Sequence, residues 1–268
     1  MKRLYSTILL CVVLITACAT SPTGRHQLMI VSEESAIAAS KTAYVEMLRP
    51  YAEKGEIDND PILKNRVYKI TGRLIAQAIK IRPETKNWDW SIKIIDDPKT
   101  VNAWAMAGGK MALYTGLVEQ IKPTDDELAQ VLGHEIGHAL AKHSAEQMSV
   151  AMASQIGVMA VGVATKSDGL ALTGAALAAA LAVQMPYSRT AESEADRIGI
   201  ELAAKAGYDP HAAVTLWQKM SKVGGSRQPE FLSTHPSPEH REQKLASLIP
   251  QMMPYYKQKG ERPTYKLN

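Results

Sequence analysis

His134, Glu135 and His138 stand in the order H-E-x-x-H. If that stretch is helical, the two histidines lie one turn apart on the same face, and their ring nitrogens can converge on one metal ion. Glu135 then sits beside the ion, where a carboxylate can take a proton from the attacking water and return it to a leaving amine. This is the general-base role that the spacing serves in zinc peptidases. A buried helix with two hydrogen-bonded histidines would carry the same letters, so the rest of the chain has to supply companions.

The companions come from Glu192 and Asp196 in the segment Arg189-Thr190-Ala191-Glu192-Ser193-Glu194-Ala195-Asp196. Four residues separate them, one helical turn. Glu192 is the candidate third metal ligand, and Asp196 the carboxylate that orients a ligating histidine through its other ring N–H, in the gluzincin arrangement. Three protein ligands leave a fourth position for water, which catalysis needs and structural zinc does not. Glu194 is two residues from Asp196 and faces elsewhere, so its loss is expected neither to release the metal nor to weaken its binding. The metzincin pattern fails by inspection: its Gly and His positions hold Ala141 and Ser144, and His143 falls one residue short.

The elements that must position these groups can be read from caps and periodicity. One helix is expected over residues 124–148: Thr124 and Glu127 form a capping box, and Leu128, Leu132, Ile136 and Leu140 repeat every fourth residue as its core-facing stripe. The segment from Tyr187 to Arg197 opens the helix of Glu192, which runs to Gly207 as its C-cap. Ser32 starts a helix reaching about Lys54, and Asp60-Pro61 starts another ending near Pro83. Short strands are expected over residues 88–95, 101–107 and 110–114, the last two joined at Gly108-Gly109, so a small sheet precedes the metal helix. The fold class is α+β, mainly helical. An edge strand beside such a helix can hold an extended peptide over the metal, which makes Asn102, Ala103, Trp104 and Ala105 candidate substrate-binding residues; a plain structural hairpin explains the pattern equally well.

The ends of the chain speak to compartment. Residues 1–17 carry Lys2 and Arg3 before an apolar run too short to span a bilayer, the build of a secretory signal. Ile15-Thr16-Ala17-Cys18 reads as a lipobox, so Cys18 is expected to carry lipid, and Ala19 in place of Asp favours the periplasmic face of the outer membrane. Without Lys2 and Arg3 the 31 Lys and Arg become 29 against 27 acidic residues, a balance that argues for neither nucleic acid nor electrostatic membrane binding. Cys11 and Cys18 are the only cysteines, so no disulfide is expected in the mature chain. The expected plan is a tether over residues 18–31, one domain over 32–250 and a polar tail over 251–268. Within the domain, the Ala-rich insertion at 149–185 reads as buried helices or a helical hairpin over the cleft, since Lys166-Ser167-Asp168-Gly169 cuts it short of a span. His143 is expected to pack near the helix end and not to bind metal.

Val101-Asn102-Ala103-Trp104-Ala105 with Gly108-Gly109, then Val131-Leu132-Gly133-His134-Glu135-Ile136-Gly137-His138, Glu192-Ser193-Glu194-Ala195-Asp196 and Thr234-His235-Pro236 together resemble the zinc peptidase family of bacterial HtpX and the prenyl-protein proteases. The likeness covers about residues 60–241, and in character it is nearest to periplasmic lipoprotein members such as LoiP and BepA. It implies one zinc ion per chain on His134, His138 and Glu192, with Glu135 as base. It also implies that His235, with Arg241 six residues on, approaches the zinc from the side opposite the base. There His235 either stabilises the oxyanion or takes the open coordination site and switches the enzyme off. Residues 189–210 look like the mitochondrial inner-membrane stress peptidase of the same family, which suggests cleavage of unfolded or misassembled envelope proteins. A chaperone-like or assembly factor using the same cleft is the rival. A structural zinc site is disfavoured because no fourth protein ligand is evident in the sequence.

Overall fold

A computed structural model of the chain describes residues 18–164, 181–182, 184–223, 229–236 and 240–267. The expected signal, most of the second half of the Ala-rich insertion and the expected Ser237-Pro238 cap lie outside these residues. The fold is α+β and mainly helical. Strands β1 (Cys18–Thr20) and β2 (His26–Leu28) pair antiparallel. Helices α1 (Glu33–Glu53) and α2 (Pro61–Ile81) follow, then a 3-10 turn (Pro83–Asn87), strands β3 (Ser91–Ile95), β4 (Ala103–Met106) and β5 (Lys110–Tyr114), and helix α3 (Thr115–Ile121). The remaining described helices are α4 (Asp125–Leu140), α5 (His143–Ala164), α6 (Arg189–Ala206), α7 (Ala212–Met220), α8 (Glu230–Thr234) and α9 (Arg241–Lys257).

Local chemistry sets most of these boundaries. Ser32, Asp60 and Ser188 cap α1, α2 and α6 by accepting backbone N–H groups, and Gly207 closes α6 in the left-handed region at φ 89°. The three-stranded sheet runs β3-β5-β4, with β3 parallel and β4 antiparallel to β5. Its hairpin turns through Gly108 and Gly109 at φ 78° and 76°, and a Cβ on Gly109 would fall 2.3 Å from the Trp90 ring. Both faces of the sheet are covered. Ala103, Ala105 and Leu113 join the main core with Leu74, Leu132 and Ile136, whereas Trp104, Met106 and Ala112 point to a second core with Ala36 and Tyr44 of α1.

Three expectations change. The single helix over residues 124–148 breaks after Leu140: Lys142 takes φ 60°, and α5 starts in a new direction at His143. Residues 18–31 are a folded element and no loose tether: Gln27 is buried and donates to the Ala141 carbonyl at that break. Helix α9 runs past the expected end at 250, through Pro250 and Pro254, to Lys257. Arg262 then caps it on the carbonyls of Tyr255, Tyr256 and Gln258, and the Tyr265 amide donates to Gly72 in α2. No described helix is long and apolar enough to cross a membrane.

Candidate metal centre

The α4 capping box is complete, with Thr124 and Glu127 each accepting from the other's backbone amide, and Leu128, Leu132, Ile136 and Leu140 face the core fully buried. That orientation turns His134, Glu135 and His138 toward α6, α8 and α9. Small residues bring α6 unusually close. A Cβ on Gly137 would meet the Ala195 carbonyl oxygen at 2.8 Å, and one on Gly133 would meet that of Gly199 at 2.8 Å. This crossing carries Glu192 to the histidine pair.

His134, His138, Glu192 and His235 converge, all buried, in a cluster whose candidate donor atoms lie within 4.8 Å of one another. His134 Nε2 is 3.0 Å from His138 Nε2 and 3.3 Å from His235 Nδ1. Glu192 Oε1 is 3.2 Å from His138 Nε2 and 3.0 Å from His235 Nδ1, and Glu192 Oε2 is 3.4 Å from His134 Nε2. Zinc bonds of about 2.0–2.1 Å in a tetrahedron require ligand atoms ~3.3 Å apart. The five distances bracket that value. Buried Glu135 Oε1 makes no hydrogen bond, and buried Glu192 Oε2 makes none beyond its ion-pair contact with Arg241, so both oxygens keep lone pairs for a cation or a substrate. The donor set therefore fits a divalent metal such as zinc.

Around the cage, Asp196 Oδ1 lies 3.0 Å from His134 Nδ1, and Arg241 reaches Asp196 at 2.6 Å and Glu192 at 3.2 Å. A carboxylate only accepts, so His134 donates from Nδ1 and keeps the lone pair of Nε2 for the cage. Arg241 is fixed in turn by its guanidinium stacking 3.4 Å over Trp217. Burial disfavours the charged form of His134, but the Glu192 and Asp196 carboxylates outweigh it and push the ring up to about 9. Burial pushes His138 well below its ordinary value and raises the Glu135 carboxyl against the pull of His235 and His134. Glu192 and Asp196 stay low despite burial, the first through His134 and His235, the second through Arg241 and His134.

Other expected residues come out differently. His235 belongs to the cluster itself, and its Nε2 lies 3.5 Å from Glu135 Oε1. A fourth protein ligand is therefore at hand. β4 is the sheet edge next to α4, but Asn102, Ala103, Trp104 and Ala105 are all buried. The Phe231 amide donates to the Val101 carbonyl and Asn102 donates to Glu230, so α8 sits against the start of the strand. Glu194 is outside the cage, as its register requires, yet it is buried and 3.1 Å from His143, whose other ring nitrogen is 2.8 Å from His138 Nδ1. The sequence signal for His143 was its place just past the metal helix, but only the break at Lys142 turns it back. Tyr187, stacked 3.9 Å from His138, and Phe231, stacked 4.4 Å from His235, carried no sequence signal.

A buried cage of histidines and a glutamate, with the Glu135 carboxylate beside it on the H-E-x-x-H helix of a mainly helical α+β fold, defines a metallopeptidase domain of the gluzincin type. Residues 61–249 match peptidase family M48, and the chain belongs to that family. It is 34% identical over 247 residues to the mitochondrial metalloendopeptidase OMA1 of Bos taurus, covering 86% of this chain and 46% of that one. It is 40% identical over 187 residues to mitochondrial metalloendopeptidase OMA1 of Arabidopsis thaliana, covering 70% and 37% respectively. It is also 29% identical over 227 residues to the beta-barrel assembly-enhancing protease of Escherichia coli K12, covering 81% and 45%. The chain spans less than half the length of these relatives.

Proposed function

We propose that this chain is a zinc-dependent metalloendopeptidase of the bacterial envelope that cleaves unfolded or misassembled polypeptides. The observation that carries the reading is the convergence of His134, His138 and Glu192 beside the partnerless carboxylate oxygen of Glu135. His134, His138 and Glu192 would hold a zinc ion, which would supply a Lewis acid for the activation of water. Glu135 accepts the proton; burial raises its affinity for that proton and so suits it to pass the proton on to the leaving amine. β4 offers its edge to an extended peptide through residues 102–105, by strand addition.

Of the two roles open to His235, its position in the cage favours the plug. With Nδ1 3.0 Å from Glu192 and 3.3 Å from His134, it stands among the donor atoms as a fourth candidate ligand, and a metal held by all four would leave less room for water. Residues 230–235 thus hold the resting enzyme shut, with Phe231 on Val101 and His235 in the cage. Lipid on Cys18 and the periplasmic face of the outer membrane complete the proposal, supported by the Ile15-Thr16-Ala17-Cys18 pattern and by the beta-barrel assembly in the name of the Escherichia coli relative. That same name favours a second reading, an assembly factor that grips clients in the cleft with hydrolysis secondary. Metal analysis paired with cleavage of an unfolded protein by wild type and Glu135→Gln separates them. The variant should keep its metal and lose about 100-fold or more of the hydrolysis. Metal-loaded wild type that binds clients without cutting them would leave only the second reading.

A further inference from the structure

We infer that the β1–β2 hairpin is a positioning clamp for the metal cage, acting on the ligand His138 through a relay of Arg25, Glu194 and His143. The inference rests on the assignment of His138 as a ligand.

The relay follows from proton logic. Glu194 accepts and cannot donate, so the contact of 3.1 Å from its Oε2 to His143 Nε2 requires the proton to be on that nitrogen. In neutral His143 the Nδ1 is then an acceptor, and the 2.8 Å contact to His138 Nδ1 is made only if His138 donates. His138 therefore presents the bare lone pair of Nε2 to the cage, the tautomer a ligand must have. The same result is reached at His134 by one carboxylate, Asp196. At His138 it takes an imidazole and a carboxylate in series.

The carboxylate at the end of that series is held by the N-terminal hairpin. Arg25 Nε donates to Glu194 Oε2 at 2.8 Å, and Thr23 Oγ1 donates to Glu194 Oε1 at 2.5 Å. The other edge of the Arg25 guanidinium grips Glu146 of α5 with both Nη atoms, at 2.8 and 2.5 Å. Gln27, 2% exposed, bridges the same Glu146 and the Ala141 carbonyl. The hairpin thus ties together the end of α4, the start of α5 and α6, which carry His138, His143 and Glu194. The side chains of Arg25 and Glu146 are partly open to water, at 22% and 19% exposed, and Thr23 is exposed, whereas those of His143 and Glu194 are 0% and 3% exposed. Buried charge-assisted bonds of this kind fix ring orientation to a degree that solvated ones do not.

The test measures zinc affinity by competition with a chromophoric chelator, and the visible spectrum of the cobalt-substituted protein. Both are run on the full chain, with urea unfolding of the metal-free form as the stability control. Glu194→Gln and Arg25→Ala are expected to weaken zinc binding by about tenfold to a hundredfold, the range for losing an outer partner of a ligating histidine, and to shift the cobalt bands. Arg25→Lys should restore part of the affinity. Ser32→Ala, which removes only the α1 cap, should lower stability and leave zinc affinity and the cobalt spectrum unchanged. His138→Ala must lose the metal in the same assay. If it does, while Glu194→Gln and Arg25→Ala bind zinc like the wild type, the relay is refuted and the cage stands. If His138→Ala keeps the metal, the ligand assignment fails and the relay with it.

Discussion

Gly137→Ala tests whether the approach of α6 to α4 sets the cage. The new Cβ would lie 2.8 Å from the Ala195 carbonyl oxygen and 3.2 Å from its Cα, where ordinary contact begins near 3.4 Å. Neither partner is a flexible side chain, so α6 must retreat locally by about 0.6 Å. Ala195 is three residues from Glu192 and adjacent to Asp196, so the displacement falls on a ligand and on the carboxylate that orients His134. Metal sites hold their ligand distances to about 0.2 Å, and a shift three times that size should weaken zinc binding by roughly tenfold to a hundredfold. Stability changes less. Ala in place of Gly favours a helix by about 1 kcal/mol, while overpacking costs about 1–3 kcal/mol. The metal-free variant should therefore stay folded in a urea titration and show its defect in chelator competition. Gly133→Ala, which meets Gly199 seven residues from Glu192, should do so more weakly. Wild-type zinc affinity in Gly137→Ala would refute the claim that this crossing fixes the ligand geometry.

Glu192→Ala should release the metal, whereas Asp196→Ala should lower affinity by about tenfold to a hundredfold as an orienting partner does, both read by equilibrium dialysis; retention of metal by Glu192→Ala would remove it from the cage. His235→Ala should raise turnover of an unfolded protein substrate, because it opens the position that the ring occupies; a fall in turnover would assign it to the oxyanion instead. Glu127, 3% exposed, is held below its ordinary value of 4.5: burial disfavours the anion, but Lys219 at 2.6 Å, the Thr124 amide and Thr215 overcome it. A depressed folded value means that its contribution is fully present above about pH 4.5 and is lost as the pH falls through the folded value. Glu127→Gln should therefore destabilise the protein at pH 7 by on the order of 1–3 kcal/mol, with the gap closing under acid in urea titrations; a gap independent of pH would contradict this account.

What the sequence determined by itself was local. Four-residue spacing put His134 with His138 and Glu192 with Asp196 because a helix repeats every 3.6 residues wherever it lies, and the caps at Ser32, Asp60 and Thr124 marked where three of the helices start. The three strands and their hairpin followed from the same short-range patterns. Which helices meet is another matter. Gly133 and Gly137 were legible as letters in the motif, but their use, the seating of Ala195 and Gly199 at van der Waals range, exists only once α4 and α6 cross. The tertiary structure alone decided that His235, 101 residues from His134, enters the cage, and that Arg241 braces it from 107 residues away. It alone decided that Arg25 meets Glu194 across 169 residues. The left-handed turn at Lys142 belongs to the same class: residues 141–146 contain no Gly or Pro to break a helix. The break is stabilised by contacts at its far side, Gln27 on the Ala141 carbonyl and His143 between His138 and Glu194. Such contacts are paid for by burial of the whole domain, and no window of neighbouring residues contains both partners.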